Sequence, residues 1–333
     1  MLLKEKIKIN SLELNNRLVM PPMATYKTAD GKVNDAVCEH YTQRAQGGYV
    51  GMIITEHSTI SRQGLAGIGQ ITVDDDSAIE GLERLAKAIK ADGTAAVGQI
   101  NHAGSATTPE ITGGELVSAS AVANPGRKSE LQGEALPRAL TVEEILEIEE
   151  QFVQAALRFK KAGFDAVEIH SAHGYLLNQF YSPLTNQRHD EYGADSVENR
   201  CRFQTETIKK VRKAVGDDYP VFIRLGGCDY MAGGSSIDDA VQACRLFEEA
   251  GADLIDLTGG MCRFTRADNT EPGYFSDLSS ACRRAVFIPV VLTGGVKTAE
   301  QAEELLQNGS ADLIGVGRAM LANARWAEQE LNK

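Results

Sequence analysis

The sequence predicts an α/β protein, a closed (β/α)8 TIM barrel with an N-terminal β-hairpin, and three observations carry that prediction. One unit recurs along the chain: a helical pattern ending in glycine, a polar residue or two, then a short β-rich strand whose last residue is polar. The strands are apolar without interruption, as strands buried on both faces must be. No G-x-G-x-x-G turn follows the first strand, where an open doubly wound sheet would carry it, and Pro22-Met23-Ala24-Thr25-Tyr26 stands there instead. Barrels of this kind routinely reach this length as one unit, so a single domain over residues 1–333 is expected.

In chain order, Lys6 to Asn15 alternates on both sides of an Asn10-Ser11 turn, which predicts a small hairpin that plugs or covers something larger. Leu18-Val19-Met20 is a strand halted by Pro21 and Pro22, neither of which can donate to a ladder. The recurring unit then appears at Gln46–Glu56, Ala91–Asn101, Lys161–His170, Asp217–Leu225, Ala250–Thr258 and Asn308–Gly317, and Val290–Thr293 completes eight strands. Between them, Val142–Lys161 spaces its apolar residues at three and four, with Thr141 as N-cap and Glu144 closing a capping box, and Ile237–Ala250 follows Ser236 in the same way. The stretch Gly104–Leu140 is weakly periodic and reads as an excursion over the barrel mouth.

Bulk composition narrows the function. Hydrophobic residues make up 43% and charged residues 24%, and 34 Lys+Arg against 46 Asp+Glu give a net charge of -12. Such a surface repels phosphate polymers and anionic lipid, so nucleic-acid and membrane partners are not expected, and a bound anion must be held locally by backbone and arginine groups. Six scattered cysteines contain no C-x-x-C pair, which argues against zinc or iron–sulfur ligation and for free thiols in a reducing cytoplasm. Neither a signal peptide nor a membrane-length apolar run is present in the sequence.

A barrel's chemistry sits at the carboxyl ends of its strands, which here carry Ala24 and Thr25, Glu56 and His57, Gln99 and Asn101, His170, Arg224, Thr258, Thr293 and Gly317. No cluster of acids occurs among them, so a magnesium site is not expected. The turn after one strand brings His170, His173 and Tyr175 together, a group open to three readings: metal ligands, a core pair, or donors to a substrate oxygen. Arg224 interrupts an apolar run, so it faces an anion or an electron-rich ring, or else pairs with Glu168 or Asp256 of a neighbouring strand. The loops at Thr293-Gly294-Gly295 and Gly315-Val316-Gly317-Arg318 hold the ordinal position of a phosphate site, although glycine there also serves plain turn chemistry.

Several segments together resemble the old yellow enzyme family of FMN-dependent ene-reductases: Asn16–Met23, Gln99–Gly104, His170–Leu176, Ser182–Arg188, Glu191–Gly193, Glu198–Arg200 and Gly317–Leu321. The resemblance covers nearly the whole chain and includes the barrel domain of the 2,4-dienoyl-CoA reductase branch. It implies FMN, reduced by NADH or NADPH, and a small activated alkene as substrate. By the same resemblance, backbone at Pro22, Met23 and Ala24 would lie along the isoalloxazine, Gln99 would bond its pyrimidine edge, and Arg224 would stand by N1 and O2. Gly295, Gly317 and Arg318 would hold the phosphate, His170 and His173 would donate to the substrate carbonyl, and Tyr175 would be the proton donor.

The chain departs from the family pattern at two places. Ala24 stands where many members have threonine or cysteine, leaving side-chain tuning of the flavin absent or supplied by Thr25, and Ser105 stands where many have arginine. The chain stops at Lys333 without the iron–sulfur and second nucleotide domains of the dienoyl-CoA branch, which leaves a free-standing enzyme and a piece of a longer one both open. Two rival readings remain at this point: a non-flavin phosphate-binding lyase or isomerase, against which no lysine ends a strand, and a flavin electron-transfer module. Substrate identity, nicotinamide preference and homo-oligomer formation are not legible, although Ser105–Leu140 and Cys262–Phe275 are expected to set substrate choice.

Overall fold

The computed structural model describes residues 1–126 and 136–333, so the centre of the predicted excursion lies outside the described residues. Eight parallel strands form the barrel: β1 (Leu18–Met20), β2 (Met52–Ile54), β3 (Ala95–Asn101), β4 (Ala166–Ser171), β5 (Val221–Cys228), β6 (Leu254–Gly259), β7 (Val290–Thr293) and β8 (Leu313–Gly315). Each pairs with its neighbours in sequence, and β1 with β8 closes the ring. The connecting helices are α1 (Asp35–Ala45), α2 (Ile79–Lys90), α3 (Val142–Lys161), α4 (Arg202–Val215), α5 (Ile237–Ala250), α6 (Ser276–Arg283) and α7 (Ala299–Gln307), followed by the short α8 (Arg318–Ala322). The predicted capping boxes form, with Thr141 and Glu144 at the start of α3 and Ser236 and Asp239 at the start of α5. Gly251, at a φ of 102°, takes the left-handed conformation that ends α5.

Side-chain alternation along each strand separates two cores. Val19, Met52, Ile54, Val97, Ala166, Phe222, Leu254, Val291 and Leu313 form one apolar cluster inside the barrel, and the hairpin residues Ile9 and Leu14 join it. The hairpin, Ile7–Ile9 paired antiparallel with Leu12–Leu14, therefore plugs one end of the barrel, as its apolar alternation anticipates. The intervening residues, among them Ile53, Ala96, Val167, Ile223, Ile255 and Leu292, pack outward under the helices.

Gly98 faces that outer layer, where a Cβ would lie 2.1 Å from Cδ1 of the fully buried Phe159 on α3. Gly98→Ala is expected to cost about 1–3 kcal/mol by overpacking, read as a lower urea midpoint with an unchanged m-value.

Candidate active site

The strand alternation that buries apolar residues low in the barrel places polar ones above them on the same face. Phe222 is followed two residues on by Arg224, Ala166 by Glu168 and then His170, Leu254 by Asp256 and then Thr258, and Val97 by Gln99. The barrel interior thus has an apolar floor, a charged middle layer and a rim of imidazole and hydroxyl groups. Above the rim opens a cavity of about 1290 Å³. A typical small-molecule pocket is roughly 300–1,000 Å³, so this one has room for a cofactor and a second molecule.

His170 and His173 occupy one wall, with ring centroids 5.1 Å apart. The backbone N–H of Ala172 donates to His170 Nδ1 at 3.2 Å, so the neutral ring carries its proton on Nε2. His173 Nε2 lies 3.0 Å from Thr258 Oγ1. Burial, reinforced by His173, Arg224 and His57, holds His170 well below the usual histidine range, and burial with the charges of Arg224 and Arg263 does the same for His173. Both rings are therefore neutral at pH 7. The Tyr175 ring stands 5.0 Å from that of His170, and burial pushes its phenol above the usual range. Tyr26 lines the same cavity, its ring centroid 6.5 Å from that of His57.

Five non-glycine residues among those described have a positive φ, and three of them, Tyr26, His173 and Arg263, line this cavity. Such backbone costs about 1–3 kcal/mol where it persists, and it concentrates at functional sites. At Tyr26 the turn is held by the buried Glu56 carboxylate, which accepts from the Thr25 and Tyr26 N–H groups and from Thr25 Oγ1 at 2.6 Å. Of the two alternatives at this position, tuning absent or supplied by Thr25, the geometry favours the first: the Thr25 hydroxyl is spent on Glu56, and of the two residues only Ala24 lines the cavity.

In the middle layer, Arg224 Nε lies 3.1 Å from Asp256 Oδ2, and Glu168 accepts from Gln99 Nε2 at 2.8 Å. Asp256 is the Cα partner of Arg224 across the sheet, whereas Glu168 is in register with Phe222, which decides between the two acids. The Arg224–Asp256 contact is not aligned as a hydrogen bond, so Arg224 Nε has no hydrogen-bond partner among the described residues, and neither do Gln99 Oε1 and Thr293 Oγ1. Buried orphans of this kind cost about 1–3 kcal/mol each unless a ligand meets them. Burial pushes the Asp256 carboxyl up to about 6 against the pull of Arg224, and burial plus the Asp256 charge drives Glu168 well above the carboxylate range.

The far end of the cavity is made by Gly294, Gly295, Gly317 and Arg318. Arg318 Nη2 meets the Tyr274 hydroxyl oxygen at 3.2 Å, and no carboxylate among the described residues pairs with it. Arg224, Arg263, Arg266, Lys297 and Arg318 all line the cavity, and among the described residues not one Asp or Glu does, in a chain whose net charge is -12. A phosphorylated, electron-rich ring system suits this wall: cations and glycine backbone at one end, unsatisfied amide and guanidinium atoms along its length.

All eleven residues expected from the sequence line the one cavity: Pro22, Met23, Ala24, Gln99, His170, His173, Tyr175, Arg224, Gly295, Gly317 and Arg318. Tyr26, His57, Thr258, Arg263, Tyr274 and Lys297 join them without having been assigned a role. His57 and Thr258 carried a signal, the strand-end position, and Arg263 lies in the segment expected to set substrate choice. Ser105, by contrast, is buried away from the cavity and accepts from Asn124 Nδ2 at 3.1 Å. All six cysteines are free thiols, and no helix among the described residues is long and apolar enough to cross a membrane.

The fit of this cavity to a flavin phosphate defines a class, the flavin-dependent barrel oxidoreductases. The chain belongs to the NADH:flavin oxidoreductase / NADH oxidase family, whose profile matches residues 3–332. FMN is thus its cofactor, and the non-flavin lyase or isomerase reading is set aside. The NADPH dehydrogenase of Bacillus subtilis is 38% identical over 332 residues, which cover 98% of this chain and 94% of that protein. The NADH oxidase of Thermoanaerobacter brockii is 38% identical over 97% of this chain, but the chain spans about half, 49%, of its length. Among solved structures, an old yellow enzyme homologue from Zymomonas mobilis superposes with a TM-score of 0.84 at 27% identity, covering 98% of this chain and 92% of that one.

Proposed function

We propose that this chain reduces the C=C bond of α,β-unsaturated carbonyl compounds at the expense of NADH or NADPH. One observation carries the reading: two neutral imidazoles, one buried and one half-buried, and a buried phenol converge on the wall of a cavity in which no carboxylate is found among the described residues. Two neutral N–H donors suit a carbonyl oxygen that gains negative charge, and a protonated phenol suits a carbon that must receive a proton.

When bound, FMN supplies the hydride acceptor and donor. Gly295, Gly317 and Arg318 would hold its phosphate, Gln99 would bond its pyrimidine edge, Arg224 would stand beside that edge, and the backbone of Pro22, Met23 and Ala24 would line the ring's site. His170 and His173 grip the substrate carbonyl oxygen and draw electrons from the β-carbon. Tyr175 gives its proton to the α-carbon. One cavity serves nicotinamide and alkene in turn, so the kinetics are ping-pong.

The test is an anaerobic titration of the FMN-loaded protein with NADH and NADPH separately, followed by a panel of enones and enoates, with flavin absorbance as the signal. Reoxidation of the flavin by an enone without oxygen is expected. A reduced flavin that no alkene reoxidises, but that a one-electron acceptor does, would replace this reading with the electron-transfer one.

A further inference from the structure

The Tyr175 hydroxyl has a neighbour that the family resemblance does not assign. His57, just beyond β2, lies with Nε2 3.5 Å from Tyr175 Oη, and the two ring centroids are 5.3 Å apart. Its other nitrogen, Nδ1, is 2.6 Å from Nε2 of Gln70. That amide is fixed at both ends: Oε1 accepts from the Ala66 N–H at 2.8 Å, and Nε2 also donates to the backbone carbonyl of His57 at 3.1 Å. Exchanging its oxygen and nitrogen would set donor against donor and acceptor against acceptor. An amide N–H can donate to Nδ1 only if Nδ1 bears no proton, so the ring proton sits on Nε2, on the side of Tyr175. Gln70, His57 and Tyr175 are all buried.

We propose that His57 is a positioning residue for the proton donor: Gln70 locks it in the Nε2–H form, and that N–H donates to Tyr175 Oη. The inference rests on Tyr175 being the acid of the reaction proposed above. The contact leaves the phenol's own proton directed away from His57, into the cavity. When the Tyr175 O–H bond breaks and a C–H bond forms at the α-carbon, the phenolate that remains is held by His57. The histidine keeps its proton throughout, because losing it would leave an imidazolate, and water entering the cavity returns a proton to the phenolate. At 3.5 Å the contact is longer than a formed hydrogen bond, and it shortens as charge develops on Oη. Among the described residues, the other titratable and charged groups around the phenol are Tyr26, His170, His173 and Arg263. Burial makes Tyr175 a reluctant acid, which gives a donor to its phenolate something to do.

Two measurements on the FMN-loaded protein test the proposal. In ¹⁵N-histidine NMR, the His57 signals, assigned by their loss in His57→Gln, should report Nε2 protonated and Nδ1 bare. Gln70→Glu, which presents an acceptor to Nδ1, should move the proton there. In single-turnover oxidation of the reduced enzyme by an enone, His57→Phe and Gln70→Glu should each be slower by roughly 10- to 100-fold, the size of one hydrogen bond to a charged group. Reduction by nicotinamide should be unaffected, and His57→Gln, whose amide can still donate, should recover most of the rate. A wild-type spectrum with Nδ1 protonated overturns the proposal whether or not the variants fold, and so does an unchanged alkene step in either variant. If no enone oxidises the wild-type enzyme, the proposed reaction has failed while the spectrum still decides the tautomer lock.

Discussion

Replacing Tyr175 with phenylalanine is expected to leave flavin reduction by nicotinamide at its wild-type rate and to slow the reaction of the reduced enzyme with an enone by about 10²–10⁴-fold, the usual contribution of a positioned general acid. The substitution removes one oxygen and little else. The ring is buried between His57 and His170, with centroids 5.3 and 5.0 Å away, and phenylalanine fills the same space. The backbone that positions it, Tyr175 N–H to the Ala172 carbonyl, does not involve the hydroxyl. Stopped-flow traces of the two half-reactions separate the outcomes, since a flavin-binding defect would slow both and a lost proton donor only the second. Oxidation by the enone at the wild-type rate would remove Tyr175 from the role. A slow step that keeps a solvent isotope effect in the variant would point to water as the replacement acid.

Much of this site was legible because a strand's alternation is a local property. Once Phe222 is assigned to the barrel floor, Arg224 must face the same interior, and the same parity lifts Glu168 and His170 above Ala166 and Asp256 above Leu254. The hairpin plug and the capping boxes were readable for the same reason, each being set by residues within a few positions of one another. What resisted reading depends on distant partners. The choice between Glu168 and Asp256 for Arg224 needs the register of β5 against both neighbours, which no single strand encodes. Whether Thr25 faces a flavin depends on Glu56, 31 residues away, which takes its hydroxyl. His57 and Gln70 meet only because the chain after β2 folds back on itself, and nothing in either residue's own neighbourhood announces the pair. Arg263 reaches the cavity through a left-handed backbone turn that its sequence does not call for.

The charged middle layer supports the second large prediction. Arg224→Met should lower stability by about 3–5 kcal/mol near pH 8, the cost of removing one partner from a buried pair, and by clearly less near pH 5. Asp256 and Glu168 are both fully buried, and Arg224 is the ion-pair partner of Asp256 among the described residues. Already in the wild type, burial holds the Asp256 carboxyl up to about 6, and burial followed by the Asp256 charge lifts Glu168 well above its ordinary value. A carboxyl whose pKa is higher folded than unfolded binds more protons in the native state, so stability is lost as pH rises from the unfolded value through the folded one. Deleting the guanidinium removes the positive charge that opposes this rise for both acids, so the loss widens upward from about pH 4, where unfolded carboxyls begin to ionise. At pH 5 the methionine would sit among largely protonated acids, and at pH 8 among groups forced either to ionise without a partner or to keep their protons against the solvent. Urea unfolding at the two pH values reads the difference, and adding Asp256→Asn to the variant should recover part of the stability at pH 8 and little at pH 5. An equal loss at both pH values would show that Arg224 contributes packing alone and that its charge does not hold the layer together.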